Sequence, residues 1–178
     1  KGGNNCDILL MSATPIPRTL MMSVYGDMDV SRLIEKPANR KEVITLSKPD
    51  TKLNEILRFV KKEMLHGNQV FWVCPLIDES KKIDHESAIK KYKFLNNIFP
   101  NLVGLIHGSL NREEKEKTLK LFLNKKYKIL VSTTVIEVGI DFPNANIIII
   151  ENSNKFGLSQ LHQLRGRVGR GTKQGICV

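Results

Sequence analysis

Short apolar runs alternate with helix-spaced segments from Lys41 onward, and this alternation restricts the fold more than any other feature. The runs are rich in β-branched residues and have the length of strands: residues 43–46, 70–74, 102–106, 129–131, 147–150 and 176–178. Between them, apolar side chains recur at helical spacing, which predicts helices near residues 53–64, 88–95, 111–122 and 158–164.

Alternating strands and helices of this kind predict an α/β fold with a mostly parallel central sheet and helices on both faces. Ligands of such sheets bind at the carboxyl ends of the strands. We therefore expect the Gly-, Thr- and Arg-rich stretches of the chain to lie at that edge.

The first part of the chain has a different hydrophobic pattern. Residues 8–11 have the apolar character of a strand, and the two prolines in residues 12–17 predict that this strand leaves into a turn. Residues 18–25 predict a short helix, and residues 26–39 have low periodicity, which favours a connector.

Composition narrows the class of protein. The 178 residues carry a formal net charge of +10, and no acidic residue follows Glu151. That surplus suits a polyanion such as nucleic acid or nucleotide, although a solvated basic surface is the plain alternative. No apolar run reaches the roughly 18 residues that a membrane span needs. The three cysteines form no CxxC pair, so a reducing cytosol fits better than a disulfide framework or a structural zinc site.

The stretch from Gln163 to Gly171 is the strongest functional signal. Arg167 and Arg170 are permanently charged forks that suit polyphosphate oxygens, and the glycines between them permit close approach to a ligand. On a helical turn, the three-residue spacing would place both arginines on one face. A basic loop at a helix end is the alternative interpretation.

Residues 131–141 are the second stretch, in which a predicted strand ends in hydroxyl side chains. Thr133 and Thr134 suit contact with phosphate or sugar. Gly139 permits a tight bend, and Asp141 can accept a hydrogen bond from a ribose hydroxyl. A helix cap at Thr134 followed by a turn would explain the same residues.

Two shorter groups follow predicted strands. Ser12, Ala13 and Thr14 are by themselves most simply a capped turn. His107-Gly108-Ser109 could present backbone and hydroxyl groups to phosphate, although a lone histidine in this setting is more often structural.

An acidic pair, Asp78-Glu79, follows an apolar run and superficially resembles a magnesium-binding box for ATP hydrolysis. No GxxxxGK(S/T) phosphate loop occurs anywhere in the chain, and the dipeptide Gly-Lys is absent. Without that loop, the pair has no triphosphate to serve. We therefore interpret it as part of a solvated helix start or loop.

Three of these groups together resemble a known family. Ser12-Ala13-Thr14, residues 134–141 and Gln163-x-x-Gly166-Arg167-x-x-Arg170 resemble motifs III, V and VI of superfamily-two helicases. Longer strings resemble the RecG family in particular: ATPIPRTL at 13–20, TTVIEVG at 133–139 and FGLSQLHQLRGRVGRG at 156–171. Transcription-repair coupling translocases share much of this, but YGD at 25–27, WVCPLI at 72–77 and Val138 are more similar to RecG.

The resemblance implies a domain plan. Residues 1–39 would be the tail of a first RecA-like lobe and a connector, and residues 40–178 a second, three-layer RecA-like lobe truncated at its C-terminus. The first lobe with its phosphate loop and a wedge domain would precede Lys1, and a helical hairpin would follow Val178.

The resemblance also implies the roles of individual residues. Arg170 and Arg167 would act as arginine fingers on ATP, Gln163 would orient the site, and Gly139 and Asp141 would line the nucleotide. A second set would contact DNA or couple the two activities: Thr134, His107, Gly108 and Ser109 for DNA, and Ser12, Ala13 and Thr14 for coupling. The cofactors would be ATP and Mg²⁺, held mainly by the first lobe, and no metal ligand is expected in this chain.

The expected function is that of the second motor lobe of a bacterial, cytoplasmic, ATP-dependent helicase that remodels branched or duplex DNA in repair and recombination. The fragment alone would hydrolyse no ATP. A lobe of a transcription-repair coupling translocase and a non-catalytic basic module that binds nucleic acid are the alternatives.

Overall fold

The structure, a computed structural model, describes residues 41–75, 81–133 and 142–178 and the single positions 9, 11, 29, 31 and 33, with the backbone alone for residues 81–85. The chain divides into two units, Lys1–Lys36 and Pro37–Val178. The elements predicted within residues 8–39 lie outside the described residues apart from those single positions. The domain boundary expected at residues 39–40 stays a prediction.

The described residues of the second unit alternate between strands and helices as the sequence predicts. The strands are β1 (Ile44–Thr45), β2 (Gln69–Val73), β3 (Val103–Ile106), β4 (Ile129–Ser132), β5 (Ala145–Ile150) and β6 (Ile176–Cys177). The helices are α1 (Leu53–Leu65), α2 (Lys81–Ile98), α3 (Arg112–Leu123) and α4 (Leu158–Arg165), and short 3-10 turns occur at Asp50–Lys52 and Ser153–Lys155.

The six strands form one sheet in the order β1-β6-β5-β2-β4-β3, and every strand pair in it is parallel. β2 lies near the centre, where Val70 is opposite Ile129 of β4 and Ile147 of β5. All five residues of β2 are buried, as expected for a strand covered on both faces. The predicted α/β class with a parallel sheet is confirmed.

Helices cover both faces of the sheet and make three layers. On one face, Val60 of α1 and Leu95 of α2 pack with Trp72 of β2. On the other face, Phe122 of α3 and Leu164 of α4 pack with Phe71, the neighbour of Trp72 in the same strand. None of the helices in the described ranges combines the length and the apolar character that crossing a membrane requires.

Local sequence signals set where two of the helices begin or end. Asn111 precedes α3 and accepts from the backbone N–H of Glu114 at 2.8 Å, while the Glu114 carboxylate accepts from the Asn111 N–H at 3.1 Å. This capping box satisfies two helix-end donors. Gly67 follows α1 with φ +79°, a conformation that glycine adopts without strain, and so terminates the helix.

Gln69 is a buried polar residue that sequence patterns do not predict. Its side chain is 1% exposed, and its Nε2 donates to the carbonyls of Phe122 at 2.6 Å and Tyr127 at 2.9 Å. These bonds tie the start of β2 to the end of α3 and the turn that follows it. The Phe122 carbonyl also accepts from the backbone N–H of Lys125 at 2.9 Å, so the Gln69 amide adds a second donor at this carbonyl.

We expect Gln69→Leu to lower the free energy of unfolding by about 1–3 kcal/mol, because the buried carbonyls lose a donor while the volume is nearly kept. Urea unfolding followed by the fluorescence of Trp72, the only tryptophan of the chain, measures the change. The control Asn54→Leu, at an exposed position of α1, should stay within about 0.5 kcal/mol. Equal stabilities of the two variants would contradict the role given to Gln69.

Candidate functional site

The His107-Gly108-Ser109 turn lies at the carboxyl edge of the sheet, directly after β3. Ile106 is opposite Ser132 of β4, so the turn and Thr133 leave neighbouring strands at the same edge. Gly108 and Ser109 are exposed, His107 is half-buried, and Thr133 is buried. The edge predicted for this group is therefore confirmed, whereas Thr134 lies outside the described residues.

Lys115 adds a cation to this turn that the sequence analysis did not single out. Its Nζ donates to the Gly108 carbonyl at 3.3 Å, and the backbone N–H of Leu110 donates to the His107 carbonyl at 3.2 Å. Lys115 is four residues after the cap Asn111, which places it one turn into α3 and over the preceding loop. That spacing is the sequence signal that could have identified it.

A second cluster at the carboxyl edge joins β2, β5 and α2. The Nζ of Lys91 lies 2.5 Å from Oε1 of Glu151 and 5.6 Å from the centre of the Trp72 ring. The Cys74 Sγ lies 3.8 Å from Oε2 of Glu151. Burial, with the Glu151 charge adding to it, raises the pKa of the Cys74 thiol to about 12. This thiol is protonated at neutral pH and is not a nucleophile.

The raised pKa of Cys74 makes a prediction for alkaline stability. The thiol is neutral in both states well below pH 9, but between about pH 9 and 12 it is ionised mainly in the unfolded chain. The free energy of unfolding should therefore decline as the pH rises above about 9, and Cys74→Ala should reduce that decline. Urea unfolding from neutral pH to about pH 11 measures both slopes. Identical slopes would refute the assignment.

The arginine-rich stretch is at the opposite edge of the sheet, and this corrects the sequence expectation. We call residues 166–175, between α4 and β6, the arginine loop. β5 and β6 are parallel, so α4 carries the chain from the carboxyl edge back to the amino edge before β6 begins. The expectation that this stretch lies at the carboxyl edge is wrong, because the stretch directly precedes β6.

Contacts within the amino edge confirm where the arginine loop lies. Lys173 Nζ donates to the carbonyl of His66 at 3.0 Å and to Oδ1 of Asn68 at 2.9 Å, both of which precede β2. The side chain of Gln174 donates to the carbonyl of Glu42, before β1. These partners precede two other strands, so the loop spans the amino ends of several neighbouring strands.

The two arginines do not lie on a helical turn, so their three-residue spacing does not place them on one face of a helix. α4 ends at Arg165, and Gly169 has φ +67°. Arg170 is exposed and its Nε donates to the Gly166 carbonyl at 3.3 Å, while Arg167 is half-buried. Both arginines lie in the arginine loop.

Gln163 is exposed in the last turns of α4, just before the arginine loop. Gly139 and Asp141 lie outside the described residues, as do Ser12, Ala13 and Thr14.

Phe142 shows where the chain goes after Asp141. It is 7% exposed, and its ring lies 5.6 Å from that of Phe71 and 5.5 Å from that of Phe122, edge-on to both. Such aromatic contacts fix a ring within the core. The segment that follows Asp141 is therefore anchored at the amino edge, next to the arginine loop.

The chemistry of this amino edge suits a polyphosphate. Two guanidinium groups and a glycine-rich backbone supply donors and positive charge, which are the groups that bind phosphate oxygens. Among the residues that the structure describes, no group of three or more His, Cys, Asp or Glu side chains offers a metal site. The donors present at this edge thus fit the phosphates of a nucleotide.

Comparison with known proteins shows the family of this chain. Residues 50–172 match the family model described as the helicase conserved C-terminal domain. The chain belongs to this family. Residues 166–172 of the arginine loop and the carboxyl-edge turn at residues 107–109 lie within the matched range.

Individual relatives of the chain are helicases, in agreement with the family match. The chain is 51% identical to the ATP-dependent DNA helicase RecG of Thermotoga maritima over 177 residues, and 50% identical to that of Bacillus subtilis over 178 residues. These alignments cover 98% and 99% of this chain but 23% and 26% of the relatives. The chain thus spans about a quarter of the length of these RecG helicases.

Solved structures agree with the fold. A structure of RecG bound to a three-way DNA junction matches 94% of this chain and 22% of that chain, with 49% identity and a TM-score of 0.77. The C-terminal domain of the DEAD-box protein Dbp5 matches 78% of this chain and 74% of that domain at 18% identity and a TM-score of 0.52, which bears on the fold alone. The predicted RecA-like lobe is confirmed.

Proposed function

We propose that this helicase C-terminal domain is the second motor lobe of an ATP-dependent DNA helicase that remodels branched DNA in repair and recombination. The observation that carries the proposal is the separation of two groups. Exposed Arg170 lies at the amino edge of the sheet, and exposed Gly108 and Ser109 lie at the carboxyl edge. One lobe can thus touch ATP and DNA at the same time without the two sites overlapping.

At the amino edge, Arg170 and Arg167 contact the γ-phosphate of ATP as arginine fingers, and Gln163 orients the site. Gly139 and Asp141 approach the nucleotide sugar from the segment that leads into Phe142. Arginine fingers stabilise the charge that builds up on the transferred phosphoryl group. The exposure of Arg170 supports this role, because a finger must reach a phosphate held by another lobe.

At the carboxyl edge, His107, Gly108, Ser109 and Thr134 contact the DNA backbone, and Lys115 adds positive charge beside them. Contacts of this kind bind phosphate and carry no base sequence information. The net charge of +10 supports a polyanion partner. A grip without sequence preference is what a motor moving along DNA requires.

The rest of the engine belongs to the whole protein, of which this chain is a part. A first RecA-like lobe holds ATP and Mg²⁺, a wedge domain engages the junction, and Ser12, Ala13 and Thr14 link nucleotide state to DNA grip. The RecG relatives and the structure of RecG on a three-way junction support this plan. We place the protein in the bacterial cytoplasm, where chromosomal DNA is repaired.

Arg170→Ala in the full-length protein should lower DNA-stimulated ATP hydrolysis by about three orders of magnitude, because a finger contributes roughly 10³ to 10⁵ in rate. Nucleotide binding should stay nearly intact, since the finger acts mainly in the transition state. Steady-state hydrolysis and a fluorescent-nucleotide titration measure the two quantities.

Arg58→Ala is the matched control, because Arg58 is an exposed arginine of α1. It should hydrolyse ATP at the wild-type rate. If Arg170→Ala also turned over ATP at that rate, Arg170 would not be a finger. The isolated 178-residue chain should hydrolyse none, because it has no phosphate loop.

A non-catalytic DNA-binding module is the second candidate, favoured by the positive charge alone. It predicts that the isolated chain binds duplex DNA tightly, with affinity falling steeply as salt rises. The motor-lobe proposal predicts weak binding, because a single lobe supplies only part of the DNA track. A salt titration of DNA affinity by fluorescence anisotropy separates the two, and tight binding by the lone chain would favour the module.

A further inference from the structure

We propose that Gly171 and Lys173 are positioning residues for ATP hydrolysis, which hold the arginine loop against the amino edge so that Arg170 is fixed in place before the nucleotide arrives. This inference rests on the proposed function, and it assigns a part to two residues that follow the helicase motif Gln163-x-x-Gly166-Arg167-x-x-Arg170. In this proposal neither Gly171 nor Lys173 contacts ATP.

Two glycines close the base of the arginine loop. A Cβ built on Gly169 would lie 3.2 Å from the Cα of Gly175, and one built on Gly175 would lie 3.0 Å from the Cα of Gly169. Both residues are buried, and the side chain of Val43 packs against both. The two ends of the loop therefore approach each other so closely that neither Gly169 nor Gly175 has room for a Cβ.

Gly171 presses the loop against the segment that precedes β5. A Cβ at this position would lie 2.7 Å from the backbone carbonyl oxygen of Pro143. That oxygen cannot rotate away as a side chain could, and the neighbouring Phe142 is anchored between Phe71 and Phe122. The residue next to Arg170 thus rests directly on backbone that the aromatic core holds.

Lys173 fixes the far side of the loop through buried amides. Its Nζ bonds to Oδ1 of Asn68, a residue that is 9% exposed. The amide of Asn68 is held in turn, because its Nδ2 donates to Oε2 of Glu63 at 2.6 Å and its Oδ1 accepts from Asn146 at 3.1 Å. A charged donor on a preorganised acceptor is a strong tether.

Together these contacts fix the backbone one and three residues after Arg170 to the sheet. An arginine finger contributes to rate only if its guanidinium is already aimed when charge develops on the phosphate. In a loose loop, the same side chain would lose conformational freedom at that step and would contribute less. Gly171 and Lys173 therefore act through Arg170, and their loss should lower kcat while leaving ATP binding nearly unchanged.

The test uses the full-length protein with two substitutions and two matched controls. Gly171→Ala places a methyl group against the Pro143 carbonyl, and Lys173→Met removes the tether while keeping the length of the side chain. Gly157→Ala is the first control, because its Cβ would meet only a side-chain oxygen at 3.7 Å. Lys117→Met, at an exposed position of α3, is the second.

We expect Gly171→Ala to lower kcat for DNA-stimulated ATP hydrolysis by about 10²-fold, the loss typical of a displacement of roughly 1 Å in a reacting group. Lys173→Met should lower it at least about tenfold by the same reasoning. KM for ATP should match that of the controls, which keep wild-type turnover, and each variant should still unfold in one cooperative transition. Lys173→Arg should restore most of the rate, since it returns a charged donor to Asn68.

Each other outcome has a defined meaning. If Arg170→Ala lowers kcat but Gly171→Ala and Lys173→Met behave like their controls, the positioning role is wrong and the motor-lobe proposal stands. If Lys173→Met raises KM for ATP with kcat unchanged, Lys173 binds nucleotide and does not position the loop. If Gly171→Ala fails to fold, Lys173→Met decides alone. A wild-type protein without DNA-stimulated hydrolysis removes the proposed function, and this inference with it.

Discussion

Parallel pairing of every strand that the structure describes is the constraint on which the rest of this structure depends. In such a sheet each connection must return from the carboxyl edge to the amino edge before the next strand begins. Segments that directly follow a strand, such as residues 107–109, lie at one edge, and segments that directly precede one, such as the arginine loop, lie at the other. The connectivity therefore separates the two groups of candidate functional residues before any side chain is considered.

The close-packed core between the two edges connects them rigidly. The ring centre of Phe71, on central strand β2, lies 5.4 Å from that of Phe122 and 5.6 Å from that of Phe142. The buried side chain of Gln69 bonds the same strand to α3. Close-packed interiors of this kind transmit displacement with little compression. A displacement of the amino edge would therefore reach the turn at residues 107–109 as a movement of the whole lobe.

Local features of the fold could be predicted from the sequence, and features that join distant segments could not. The capping box of Asn111 and Glu114 depends on residues three apart, so its pattern is visible in the sequence. The contact of Gly171 with Pro143 and the bond from Lys173 to Asn68 depend on strand order, which no local pattern encodes. The same lack of strand order explains why the arginine loop was expected at the wrong edge. The family motifs identified its residues, but only the topology gives its location.

The proposed motor lobe requires the arginine loop to face a nucleotide shared with another lobe, and a structure with nucleotide bound would show this contact. The decisive measurement is a crystal structure of the full-length protein with a non-hydrolysable ATP analogue, Mg²⁺ and a DNA junction. We expect a guanidinium nitrogen of Arg170 to lie about 2.7–2.9 Å from a γ-phosphate oxygen, the usual length of such charged bonds. If Arg170 instead faced solvent on the outer side of the lobe, with the nucleotide bound elsewhere, the arginine loop would not be part of an ATP site.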